Sequence, residues 1–181
     1  MIKTYHSLLH QESRMVGFGN DQFSIAFYIA NRPDIDSYQD LNHLHSLYPG
    51  EIDQIIEETG NHWRKIFNVS AKFAFQYLSE NSDEHELPQS WQAYRDSVLY
   101  QKHCPIALLF SPPQLTTDNV VHIVAGRTYA RDLGLKDLIW LDEKFAMNQS
   151  KRLIVCPYLD YRQLSNARIK QLSGLVSSLS S

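Results

Sequence analysis

The stretch Gln22-Phe23-Ser24-Ile25-Ala26-Phe27-Tyr28-Ile29-Ala30-Asn31-Arg32-Pro33-Asp34 decides how the chain is read. From Ile25 to Ala30 every residue is apolar or aromatic, and the run then stops at Asn31-Arg32-Pro33-Asp34. Proline restricts the residue before it and cannot donate to a ladder. Residues 22–30 therefore predict a buried strand that empties into a loop. The same grammar recurs downstream: residues 105–110 form a short apolar run ended by Ser111-Pro112-Pro113, and residues 120–125 form another, ended by Gly126. Residues 137–141 and 151–156 predict two further strands.

Between these runs the apolar positions fall at helical spacing. Residues 35–47 and 51–59 predict two short helices, the second opened by Pro49 ahead of Glu51. Gly60 ends one helix and Asn61 caps the next, whose apolar face is Trp63, Ile66, Phe67, Val69, Phe73 and Leu78. Residues 79–88 read as an exposed loop, Ser90 caps a helix to about residue 101, residues 127–133 form a short one, and a last helix begins between Asp160 and Ser165. Buried strands alternating with helices predict an α/β fold: a three-layer α/β/α domain with a mostly parallel central sheet of four to five strands. Residues 1–181 are expected to form a single domain, with residues 1–20 as an N-terminal extension.

Composition excludes several classes. The 181 residues are 43% hydrophobic, 12% aromatic and 20% charged, which is neither disordered nor collagen-like. No run reaches the roughly 18 apolar residues that span a bilayer, and His6, His10, Glu12 and Arg14 interrupt the start where a signal peptide needs apolar sequence. A cytoplasmic location with no membrane partner is the expectation. Cys104 and Cys156 each sit in or beside an apolar run and read as buried thiols. The net charge of −3 is uneven: residues 1–126 hold 8 basic and 15 acidic side chains, and residues 127–181 hold 9 and 5. The basic C-terminal part can attract phosphate or simply be a solvated surface.

In open α/β sheets ligands lie beyond the carboxyl ends of the strands. Four loops then matter: Asn31-Arg32-Pro33-Asp34, Ser111-Pro112-Pro113, Gly126-Arg127-Thr128-Tyr129, and Pro157-Tyr158-Leu159-Asp160-Tyr161-Arg162. Their amide, carboxylates, guanidinia and phenols can stack a planar ring, hold phosphate oxygens and orient water. Turn formation and helix capping before Ile35 is the plainer account of Asn31 and Asp34. His43 and His45, two apart on an expected helix, face different ways and imply no metal site. Nucleophile-elbow, phosphate-loop and dinucleotide fingerprints do not occur, and no cofactor is implied.

The order of these pieces resembles the uracil-DNA glycosylase superfamily, in particular its mismatch-specific uracil/thymine branch. The segment 25–34 is similar to that branch's strand ending in a Gly-Ile-Asn-Pro-Gly type loop. Gly60-Asn61-His62-Trp63-Arg64-Lys65-Ile66-Phe67 is similar to its Gly-Asn-His/Arg-Phe-Trp helix start. Residues 121–127 resemble its later strand ending in glycine, and Leu153-Ile154-Val155-Cys156-Pro157-Tyr158 with Leu164-Ser165-Asn166 its last strand and DNA-pressing loop. The resemblance implies nucleic-acid or nucleobase binding at the carboxyl edge of the sheet. Asn31 and Asp34 would be catalytic, Asn31 orienting water or reading the base and Asp34 serving as the substitute general base. Tyr28 or Tyr158 would stack, Leu159 or Tyr158 would wedge, Arg127 and Arg162 would hold phosphate, and Arg32, Asp160 and Asn166 would complete the ligand site. Arg32 stands where the family has Asp or Asn before the loop proline, and Cys156 where it has His or Met, so base excision is expected to have diverged or been lost. The chain also resembles a family of short bacterial proteins carrying Gly-Asn-His-Trp-Arg-Lys and Leu-Leu-Phe-Ser-Pro-Pro segments. The alternative is an enzyme or sensor acting on a small nucleoside-like metabolite.

Overall fold

A computed structural model describes residues 14–82, 87–116 and 119–181. The fold is α/β, with the expected strands at its centre. β2 (Ile25–Tyr28), β4 (Ile106–Leu109), β5 (Val121–Ala125) and β8 (Leu153–Cys156) run parallel in the spatial order β4-β2-β5-β8. The sheet is nevertheless larger and more mixed than a four- or five-stranded, mostly parallel one. Among the described residues eight strands line up, those four being joined by β3 (Leu44–His45), β1 (Gly17–Phe18), β7 (Ala146–Asn148) and β6 (Ile139–Trp140) in the order β3-β1-β4-β2-β5-β8-β7-β6. β1 joins β4 antiparallel, and β3 extends that edge parallel to β1. At the other edge β6 and β7 pair antiparallel, and β7 is antiparallel to β8.

Two expectations are corrected here. Residues 35–47 do not form one helix: a single turn, α1 (Asp36–Gln39), gives way to β3. The carbonyls that a longer helix would use are taken elsewhere. Those of Tyr38, Gln39 and Leu41 accept from Arg32 Nη1 at 3.3, 2.9 and 2.8 Å, and those of His43 and His45 accept from the N–H groups of Gly17 and Gly19. Sheet pairing overrides the helical spacing. Nor are residues 1–20 wholly an extension: Phe18 is completely buried in the core, and only residues 1–13 lie outside the described ones.

The remaining helices follow the sequence closely. α2 (Glu51–Thr59) and α3 (Asn61–Asn81) meet at Gly60, which serves α3 as N-cap in place of Asn61. Residues 83–86, within the expected loop 79–88, lie outside the described residues. The Ser90 hydroxyl caps α4 (Trp91–Ser97) by accepting from Ala93 N–H at 3.1 Å, and the helix ends four residues before 101, where Val98 leaves helical geometry at φ −133°. α5 (Arg127–Asp132) and α6 (Asn166–Ser180) complete the set.

Alternation along the strands sorts the core into two clusters. Ile25, Phe27 and Ile29 pack with Ile154 of β8 and with Trp63, Phe67, Phe73, Tyr94 and Leu172 from the faces of α3, α4 and α6. Ala26, Tyr28, Val124 and Val155 pack with Ala130 of α5 and the neighbouring Tyr129 and Leu133. Among the described residues no helix is long and apolar enough to cross a membrane.

Candidate functional site

The register decides which loop residues can meet. Tyr28, Val124 and Val155 lie in one row across β2, β5 and β8. Asn31 follows Tyr28 by three residues and Tyr158 follows Val155 by three, so both leave the sheet at the same height. Both also continue the α3-facing side, where Ile29, Cys156 and Tyr158 pack. Helix α3 brings His62, its second residue, to the same point. Tyr158 OH donates to Asn31 Oδ1 at 2.8 Å, Asn31 Nδ2 donates to His62 Nε2 at 2.9 Å, and the Tyr158 hydroxyl lies 3.2 Å from the same imidazole nitrogen. The two rings stack with centroids 5.8 Å apart and planes inclined by 23°.

This closed set fixes the chemistry on offer. The imidazole accepts at Nε2 and so carries its proton on Nδ1. Asn31 keeps one N–H and one carbonyl lone pair unused, a donor beside an acceptor that matches the edge of a planar heterocycle. Burial pushes the Tyr158 phenol up; the Asn31 hydrogen bond opposes this and the nearby Asp160 charge adds to it. The hydroxyl is therefore a hydrogen-bonding group here and not a phenolate.

Two aromatic and cationic flanks border the cluster. On one side Lys65, one turn along α3 from His62, binds Asp160 Oδ2 at 3.0 Å and lies over Tyr161, whose ring also meets the Arg162 guanidinium at 5.7 Å. Burial works to raise the Asp160 carboxyl, but the Arg162 N–H, the Lys65 ammonium and the Arg162 charge hold it below the usual carboxylate range. On the other side Gly126, with φ at 105°, lets the chain turn beside the Tyr158 ring, where an added Cβ would sit 3.6 Å from Cδ2. The next residue, Arg127, lies over the Trp140 ring at 4.3 Å.

The other candidates fall elsewhere. Tyr28 points to the opposite face of the sheet, 2% exposed, with its hydroxyl 2.7 Å from His122 Nδ1, so it has no face left on which to stack a ligand. Strand parity separates it from Asn31. Arg32 is engaged with the last two carbonyls of α1, with that of Leu41 beyond it and with the Phe110 ring, a structural role. Asp34 is exposed, and among the described residues its carboxylate has no hydrogen-bond partner. Leu159 is fully buried and cannot wedge from this position. Asn166 lines a separate groove of about 320 Å³ with Lys72 and Trp91. Cys156 is buried, which pushes its thiol up and away from nucleophilic use. His43 and His45 share one face of extended backbone, their rings 6.2 Å apart, which corrects the helical reading of that pair. Among the described residues no group of three or more His, Cys, Asp or Glu is arranged to hold a metal.

His62, Lys65 and Trp140 were not singled out from sequence. His62 carried a usable signal, because it opens a long helix whose N-terminus follows a glycine and lacks acidic residues. A larger cleft of about 720 Å³, lined by Asn20, Lys102 and His103 among others, lies at the amino ends of β2 and β4 and contains none of the candidates.

These features define an α/β protein with a polar and aromatic cluster at the carboxyl ends of its central parallel strands. Residues 16–177 match a family described as a family of unknown function, DUF6942, and the chain belongs to it. Comparison with curated proteins and with solved structures gives no match.

Proposed function

We propose that the carboxyl edge of the parallel strands binds nucleic acid or a nucleobase, as the likeness to uracil-DNA glycosylases implies. The observation that carries this reading is the hydrogen-bonded set of Asn31, His62 and Tyr158, drawn from three separate elements. Asn31 offers its open donor and acceptor to a base edge, and the Tyr158 and His62 rings give it a stacking surface. Arg127 and Arg162 flank this position and supply positive charge for phosphate. His62 stands where an imidazole can hydrogen-bond a base oxygen, a group the last loop lacks because Cys156 occupies it. In this reading α2, α3, α4 and α6 form one layer, the sheet a second and α5 a third, the arrangement in which such an edge site is usual.

Fluorescence anisotropy of the protein with labelled single strands and mismatched duplexes containing uracil, titrated at several salt concentrations, tests the proposal. Binding that weakens with salt and falls on Asn31→Ala is the expected result. No binding at low salt overturns it. Release of free base from the same oligonucleotides would add base excision, with Asn31 and Asp34 as the groups to mutate first.

A further inference from the structure

Behind the Arg127–Trp140 pair lies a cavity of about 380 Å³ that the Asn31 cluster does not use. Its shape follows from how α5 ends. Gly134, with φ at 65°, donates its N–H to Arg131 O, and the left-handed turn folds the chain back so that Leu135 and Leu138 lie beneath the helix. With Ala130 they make an apolar floor. Arg127 and Arg131 are four residues apart on α5 and therefore share one face, and both line the cavity. Trp140, 40% exposed, forms the wall.

The charge of this cavity is one-sided. Among the described residues no acidic side chain lines it. Arg127 has a long contact of 3.4 Å from Nη1 to the Glu143 carbonyl, which leaves most of its N–H groups open. Arg131 meets Asp132 only at 3.7 Å, with both side chains largely in solvent, a pairing of little worth that competes weakly with a bound anion. Two guanidinia over an apolar floor and an indole wall select a ligand with an anionic head and a flat or short apolar body.

We propose that this cavity binds a small amphipathic anion, an aromatic ring or short apolar group carrying a phosphate or carboxylate. The cavity shares Arg127 with the phosphate contacts proposed for the carboxyl edge, but its floor and Arg131 take no part in the Asn31 cluster, so Arg131→Gln separates the two readings. Calorimetric titration of the full chain with phenyl phosphate, benzoate, inorganic phosphate and benzyl alcohol tests it, with Trp140 fluorescence as a second readout against a Trp140→Phe variant. Phenyl phosphate or benzoate should saturate about tenfold more tightly than either inorganic phosphate or benzyl alcohol, because only the former fill both the floor and the guanidinium mouth. Tighter binding of phenyl phosphate than of benzoate, or the reverse, names the head group, and either supports the site. Arg131→Gln, at an exposed helix position that the fold tolerates, should weaken the tighter ligand by roughly tenfold. Equal binding of inorganic phosphate or benzyl alcohol, an unchanged affinity in Arg131→Gln, or no saturation by any of the four overturns the proposal.

Discussion

Glu51 is 2% exposed, yet its carboxylate is fully employed: Tyr38 OH and His45 Nε2 donate to Oε1, the latter at 2.7 Å, and the Tyr48 N–H donates to Oε2 at 3.0 Å. One side chain thereby ties the start of α2 to α1 and to β3. Glu51→Ala removes the shared acceptor of three partly buried donors and should cost about 2 kcal/mol, read as a lower urea midpoint at unchanged slope. Tyr158→Phe is the milder counterpart. It keeps the ring stacked on His62 but removes the donor to Asn31 Oδ1, so stability should fall by only about 1 kcal/mol while oligonucleotide affinity drops with it. Asp160 adds a pH dependence whose sign is fixed by the direction of its shift. Its carboxyl is held below the unfolded value of about 3.9, so the Lys65–Asp160 link stabilises the fold above that pH and is lost as pH falls through the lower folded value. Denaturation of the protein and of Asp160→Asn should therefore differ near neutrality and converge in strong acid.

At the scale of elements, β1 is held by a close approach that only glycine permits. A Cβ built on Gly17 would lie 2.1 Å from the Leu108 carbonyl oxygen, inside the antiparallel pairing of β1 with β4. Gly17→Ala should loosen that edge and cost about 2–4 kcal/mol in thermal or urea unfolding, whereas Gly134→Ala, with open space around it, should show only the smaller penalty of its left-handed φ. The same contrast explains which elements the sequence revealed. The four central strands are buried on both faces and read as continuous apolar runs, and α3 shows its face through Trp63, Phe67 and Phe73. β1 and β3 are two residues each and carry no such signal, and the Gly17 and Gly19 that make β1 possible read as loop residues. β7 is hidden in Phe145-Ala146-Met147-Asn148, too short for a period to emerge. At the site, Asn31 and Tyr158 were legible because they follow strands. Tyr28 and Arg32 were misplaced because nothing in one sequence told which face of β2 each residue takes, or which carbonyls an arginine will cap. His62 is legible as the start of α3, but its role depends on that N-terminus meeting the residues that follow β2 and β8, a tertiary fact.

For the molecule as a whole, charge placement sets the electrostatics of any nucleic-acid contact. The chain carries −3 overall, so long-range attraction is weak and binding must come from a few local cations. Lys65 is already paired with Asp160, and Arg32 is turned inward to carbonyls, which removes both from the count. Arg127 and Arg162 remain, each resting against an exposed aromatic ring. Two phosphate contacts on a single strand release few counterions, so the logarithm of affinity should fall against the logarithm of salt with a slope of about −1.4. Arg162→Gln should bring that slope to about −0.7 while leaving any preference for uracil intact, because a phosphate contact carries no base information. Asn31→Ala should do the opposite, keeping the slope and erasing the preference. A slope several times steeper would mean that nucleic acid sits on another basic surface and not on the carboxyl edge. Measuring both variants across one salt series separates the positioning contacts from the reading ones.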